Sequence, residues 1–178
     1  ASWAGPAEPA WLAGLAELPS APPFLVSRLW LDRPVEAARP AFSGTAGFPT
    51  LDNISVLERY EDEARTWSKR TGGSVVELHA YAMAEGCDPQ QEHERLVAQL
   101  RRVYPETGAA GIVDERRELH ADCPLFPPGG YPRRAGVRTP DPRVVMAGDH
   151  VRVDLPVALM ERAATSGVLA ANALLGQW

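Results

Sequence analysis

VVMAGDHVRVDLPVALMERAATSGVLAANALLGQW, residues 144–178, is the part of the chain from which the rest can be read. Its first four residues, Val144, Val145, Met146 and Ala147, form an apolar run long enough for one short buried strand. Gly148 and Asp149 stop that strand. A helix is predicted over residues 158–175, and one of its faces carries only small residues: Ala163, Ala164, Gly167, Ala170 and Ala171. Small residues at helical spacing let a backbone approach something flat or extended. A glycine inside a helix costs about 1 kcal/mol relative to alanine, so Gly167 suggests a steric need. A strand, a Gly-Asp turn and a helix whose start points back at the turn make a site for an electron-rich ligand. The free N–H groups and positive dipole end of that helix would face it.

Composition narrows the classes. A chain of 178 residues holds one or two domains, and its 45% hydrophobic content is that of a globular protein. With 18 basic against 23 acidic residues the net charge is −5, which gives no general attraction to nucleic acid. Two cysteines, Cys87 and Cys123, do not make a secreted disulfide framework. No apolar stretch is long enough for a membrane-spanning helix. The first 23 residues have no basic lead and are broken by Pro and Gly, so they do not read as a signal peptide.

Taken in order, residues 1–23 read as a linker or loosely packed segment. Trp11, Leu12, Leu15 and Leu18 allow one short helix ending at Pro19. Residues 24–31 form a strand with both faces largely apolar, which suits the centre of a covered sheet. Residues 41–45 give a weaker strand and residues 54–58 another. A short helix over 61–69, with Ala64 and Trp67 inward, closes at Gly72. Residues 74–83 alternate as the strongest strand, placing Glu77, His79, Tyr81 and Met83 on one face. Asp88-Pro89 starts a helix that runs to Tyr104. Its Leu96, Val97, Leu100 and Val103 face the core, and Glu92, Glu94, Arg95, Gln99, Arg101 and Arg102 face water. Residues 111–124 are polar for a strand and read as an edge guarded by charge. The scattered His79, Cys87, His93, His120 and Cys123 match no zinc-ligand spacing, so no metal is expected. No nucleophile elbow of the G-x-S-x-G type is present.

The C-terminal residues also carry a resemblance. Ala147-Gly148-Asp149-His150, then Leu159-Met160-Glu161-Arg162-Ala163-Ala164-x-Ser166-Gly167, then Ala170-Ala171-Asn172, resembles the C-terminal flavin signature of the amine-oxidase and phytoene-desaturase superfamily. That signature reads roughly AGD…LxMEGAxxSGxxAAxxIL, and Arg162 stands here where the family has Gly. Residues 51–59 and 72–81 look most like the carotenoid desaturases that make aromatic carotenoids.

The resemblance implies an α/β fragment. Residues 24–138 would supply part of a substrate-domain sheet with helices. Residues 139–178 would be the strand–turn–helix completing a Rossmann-like FAD-binding domain. It implies FAD as cofactor, with Gly148 and Asp149 at the ribityl chain and the Met160–Glu161 backbone at the flavin ring. The implied substrate is a long polyene held in an apolar tunnel, with Trp30, Tyr81 and Met83 as wall residues. An enzyme acting on such a membrane solute would be cytoplasmic and peripherally membrane-associated. No G-x-G-x-x-G follows a predicted strand, and Gly44-Thr45-Ala46-Gly47 has the wrong spacing. The expectation is therefore a C-terminal portion whose nucleotide-binding half or subunit lies elsewhere, inactive by itself. The competing readings are a non-catalytic binding or structural chain with a degenerate flavin fold, and an amine-oxidase-type flavoenzyme with another substrate.

Overall fold

FLVSRLWL becomes β1, Phe24–Leu31, and sits between two antiparallel neighbours. A computed structural model describes residues 9–176, with side chains from Trp11 onward apart from Leu12. Residues 1–8 of the expected linker, the Leu12 side chain and the last two residues lie outside it. The chain divides into two compact units: residues 22–123, and residues 9–21 with 124–176. Residues 124–138, expected with the substrate-domain portion, thus pack with the C-terminal segment.

In the 22–123 unit the remaining strands are β2 (Phe42–Gly44), β3 (Asn53–Val56), β4 (Ser74–Ala80) and β5 (Ile112–His120). They form one sheet in the order β2-β3-β4-β1-β5, every pair antiparallel. The fold is mixed α/β, as expected. Leu25, Leu29 and Leu31 leave one face of β1 fully buried, packed in a core with Leu78, Leu96 and Leu100. Leu96 and Leu100 come from the helix α3, Pro89–Val103. It starts at the predicted cap, where the Asp88 carboxylate accepts from the Gln90 N–H. The opposite sheet face is half-open; α2, Asp62–Thr71, covers its Trp30 end through Ala64 and Trp67. Gly73, just after α2, is required: a Cβ there would lie 2.0 Å from the Leu31 carbonyl oxygen.

Three details differ from the sequence expectation. Residues 57–59 leave the strand for a single 3-10 turn, because the Glu58 carboxylate turns back to the Ser74 hydroxyl (2.5 Å) and the Val75 N–H (3.0 Å). β4 ends at Ala80, and Ala82 has φ +50°, which breaks the alternation. The outer face of α3 is not all solvated: Glu92 and Gln99 are buried. Gln99 clamps the loop before β3, accepting from the Leu51 N–H (3.1 Å) and donating to the Thr50 hydroxyl (2.9 Å). β5 is an edge strand rich in charge, which discourages pairing with another sheet.

The other unit contains α1, Pro9–Ala16, and α4, Leu159–Leu175; Ala170 of α4 packs in a small core with Val137, Val151 and Val153. The run 144–147 does not form the predicted strand. A strand needs a continuous ladder, whereas the Val144 N–H bonds back to the Asp141 oxygen (2.9 Å), the Met146 N–H bonds to the Val137 oxygen (2.8 Å), and Val145 makes an isolated bridge with Arg138. The turn before it is held by Asp141, whose carboxylate takes two bonds from the Arg143 guanidinium and one from its backbone N–H. Those donors hold the Asp141 carboxyl down at about 2. A depressed carboxyl contributes stability above its ordinary value and loses it as the pH falls through the folded one. Asp141→Asn is therefore expected to flatten the acid limb of stability between about pH 4 and about pH 2; unfolding curves at stepped pH check it. No described helix is long and apolar enough to cross a membrane.

Candidate functional site

The Gly-Asp turn is tied to α4 by one buried side chain. The Ser166 hydroxyl, fully buried, accepts from the Gly148 N–H (2.9 Å) and lies 3.0 Å from the Gly148 carbonyl and 2.9 Å from that of Ala163. It can donate to only one of them at a time. Gly148 has φ +143°, a conformation that favours glycine. The next residue, Asp149, is half-exposed, and among the described residues its carboxylate makes no hydrogen bond. His150 Nδ1 lies 3.9 Å from it.

Arg162 explains its own departure from the family signature. Its guanidinium donates to the Asp149 carbonyl (3.2 Å) and twice to the Val157 carbonyl (3.1 and 2.8 Å). It thereby laces the loop 149–157 onto the first turn of α4, work a glycine could not do. Phe126 lies beneath two guanidinium groups, Arg134 at 3.9 Å and Arg162 at 4.9 Å from its centroid. Burial, together with the Arg162 charge, pushes the Arg134 guanidinium down from its usual range. Its Nη1 is buried without a hydrogen-bond partner among the described residues.

The start of α4 is open. Ala158 at the N-cap offers no side-chain acceptor, Leu159 has φ +48°, and Met160 and Glu161 are both exposed. A positive φ at a leucine stores strain, of order 1 kcal/mol or more. The steric need expected at Gly167 is not met within the described residues: a Cβ there would touch nothing within 4 Å. Ala164 and Ala171 of the small-residue face are likewise exposed, whereas Ala170 is core.

The expected wall residues fall apart. Trp30 lines a shallow cleft of about 490 Å³ with Trp67, Arg28 and Arg70. Tyr81 is 48% exposed at the end of β4, on the open sheet face. Met83, expected on the same wall, is instead core: only 7% exposed, its N–H bonded to the Pro23 oxygen. The positive φ at Ala82 turns it to the other side. Sequence reasoning carried Ser166 only as a letter of the signature and placed Arg134 in a solvated loop near Tyr131. Ser166 could have been found from its position, 18 residues after Gly148 and facing inward on α4; Arg134 carried no sequence signal beyond charge.

A carboxylate with no hydrogen-bond partner among the described residues, behind a glycine of unusual conformation and beside an uncapped helix start, fits a ligand bearing hydroxyls on one side and carbonyl groups on the other. A flavin with its polyol chain has that donor and acceptor set. The sequence matches the family of flavin-containing amine oxidoreductases over residues 4–175, and the chain belongs to that family. FAD is accordingly its cofactor, as the C-terminal signature implied. Within the family the chain is similar to a carotenoid phi-ring synthase of Streptomyces griseus. The two are 62% identical over 168 residues, covering 94% of this chain and 32% of that protein. A carotenoid phi-ring synthase of Chlorobaculum tepidum is 38% identical over 162 residues, 90% of this chain and 25% of that protein. The chain thus spans about a third or less of the length of these relatives. In fold it is similar to a solved oxidoreductase from Methanosarcina mazei, at 13% identity and a TM-score of 0.65, covering 92% of this chain and 36% of that one.

Proposed function

We propose that this chain is the C-terminal portion of an FAD-dependent oxidoreductase that removes hydrogen from a carotenoid and carries a ring of that substrate towards aromaticity. The single observation behind this reading is the 62% identity to a protein named carotenoid phi-ring synthase across nearly the whole chain. The bound flavin would supply the hydride acceptor. Asp149 would hold the ribityl hydroxyls, accepting from them in place of water. Gly148, pinned through Ser166 to α4, would fix where that carboxylate stands. The backbone N–H groups at Met160 and Glu161 would face the electron-rich edge of the ring system and favour negative charge there. Arg162 would hold the loop rather than touch the substrate.

A hydrocarbon offers no group for hydrogen bonding, so its binding depends on shape and apolar area. Such a substrate is dissolved in a membrane, and the reading includes peripheral contact with the membrane surface. The test is to purify the flavin-loaded protein and supply a cyclic carotenoid in detergent micelles. Flavin bleaching without oxygen, together with a product that absorbs as an aromatic-ended carotenoid, is expected. An unbleached flavin with every carotenoid tried, alongside bleaching by an amine, would overturn it.

A further inference from the structure

Three arginines in the unit of residues 9–21 and 124–176 have no carboxylate partner among the described residues. The Arg133 guanidinium is exposed and makes no hydrogen bond there. That of Arg152 bonds only to the Pro132 carbonyl (3.1 Å). Arg134 lies over the Phe126 ring with its Nη1 buried and unbonded. All three line one groove, and Trp11, Leu15 and Leu18 give that groove an apolar lining. Its two lobes, about 400 and 410 Å³, share Gly14, Leu18, Arg133 and Arg134. Spaces of this size hold small-molecule groups. Among the described residues that line it, Glu17 is the one carboxylate.

The frame of the groove is held by hydrogen bonds. The Leu125 N–H donates to the Pro19 oxygen (2.9 Å), and the Arg152 N–H to the Ala135 oxygen (2.8 Å). The Tyr131 hydroxyl donates to the Val153 carbonyl. Leu125, in the lining, and Tyr131, next to Pro132, stay 41% and 40% exposed. Charge is concentrated here. The chain has a net charge of −5, yet residues 124–153 carry five arginines against two aspartates. One of those aspartates, Asp141, is already paired with Arg143. The stretch is basic in an acidic chain.

A half-buried guanidinium without a counter-charge is costly, and an anion that reaches it offsets the cost. Burial and the Arg162 charge both work against the Arg134 cation, and a bound anion would work for it. Forked N–H donors match the oxygens of a phosphate. The apolar lining calls for hydrocarbon on the same ligand, which free phosphate lacks. A carotenoid hydrocarbon, conversely, gives three guanidinium groups nothing to hold. We propose that this groove seats an anionic phospholipid of a membrane surface, its phosphate among Arg133, Arg134 and Arg152 and its apolar part along Trp11, Leu15 and Leu18. The site names the lipid class for the membrane contact in the functional reading above, and rests on that reading only in expecting a membrane to be met.

The test sediments the flavin-loaded protein with vesicles of phosphatidylcholine alone, and with vesicles of equal parts phosphatidylcholine and phosphatidylglycerol. Binding to the second kind only is expected. Arg133→Gln, which strands no partner among the described residues, should weaken it about five-fold, the usual weight of one arginine at an anionic surface. Adding Arg152→Gln should bring the loss to about thirty-fold. Arg101→Gln, which removes the same charge from the exposed side of α3, should bind as wild type. With brominated acyl chains the vesicles should quench tryptophan fluorescence, and Trp11→Phe should remove part of that quench, which general surface charge would not explain. Full binding by the double arginine variant, or a quench unmoved by Trp11→Phe, would overturn the proposal. So would displacement by millimolar inorganic phosphate at fixed ionic strength, which marks a site for the free anion. Equal binding to phosphatidylcholine alone would leave a membrane contact but not this groove. Binding to neither vesicle would remove both, while carotenoid-dependent flavin bleaching in micelles still decides the oxidoreductase reading.

Discussion

Asp149→Ala is expected to empty the flavin site while leaving the protein folded. The carboxylate is half-exposed and makes no hydrogen bond within the described residues, so its loss breaks none there and removes only a favourable charge near Arg134. Nothing in the small core of Val137, Val151, Val153 and Ala170 depends on it. A charge-assisted hydrogen bond to a ligand hydroxyl is worth about 1.5–3 kcal/mol, so flavin affinity should fall about ten- to a hundred-fold. The measurement is the ratio of flavin to protein absorbance after dialysis, beside a thermal melt. A full complement of flavin in the variant would show that Asp149 does not hold it. A melt lowered as far as the occupancy would show that the residue serves the fold instead.

Leu29→Ala should have the largest effect on stability. Leu29 is fully buried in the inner strand β1, in the cluster that joins the sheet to α3. Truncations of this kind cost about 2–5 kcal/mol, from lost transfer energy and the cavity left behind. Whole domains are stable by only about 5–15 kcal/mol, so one such cavity removes a large share. Denaturant unfolding, followed by the fluorescence of Trp30 and Trp67 in the same unit, reads the change. A midpoint unmoved by Leu29→Ala would mean that the face of β1 against α3 does not carry the fold. Trp30→Ala, on the half-open face, should cost less.

How much of this was legible beforehand depended on whether the deciding interaction was local. β1 was legible to the residue because six of its eight residues are apolar and the run is bounded by Pro23 and Asp32, and the start of α3 because Asp88 and Pro89 are a cap and a first-turn residue in sequence. The flavin turn was legible because its glycine, aspartate and helix start are consecutive landmarks at fixed spacing. The failures share one cause. Met83 continued an alternating pattern that a single positive φ at Ala82 terminates, and nothing in the residue types announces that angle. Gln99 and Glu92 looked like a solvated helix face; Gln99 is buried because the loop at Thr50 and Leu51 folds over it and uses its amide.

By itself, the sequence determined the family, the cofactor class, most element types and the inner strand β1, because each is written in spacing along the chain. The tertiary structure alone decided that Ser166 pins Gly148, that Arg162 laces a loop a glycine would leave loose, and that Glu77, His79 and Tyr81 join in one line of bonds. The last two were visible only as isolated polar letters. Which groups meet across a sheet or turn depends on register and on a few backbone angles, and those are set by the whole fold rather than by neighbours in sequence.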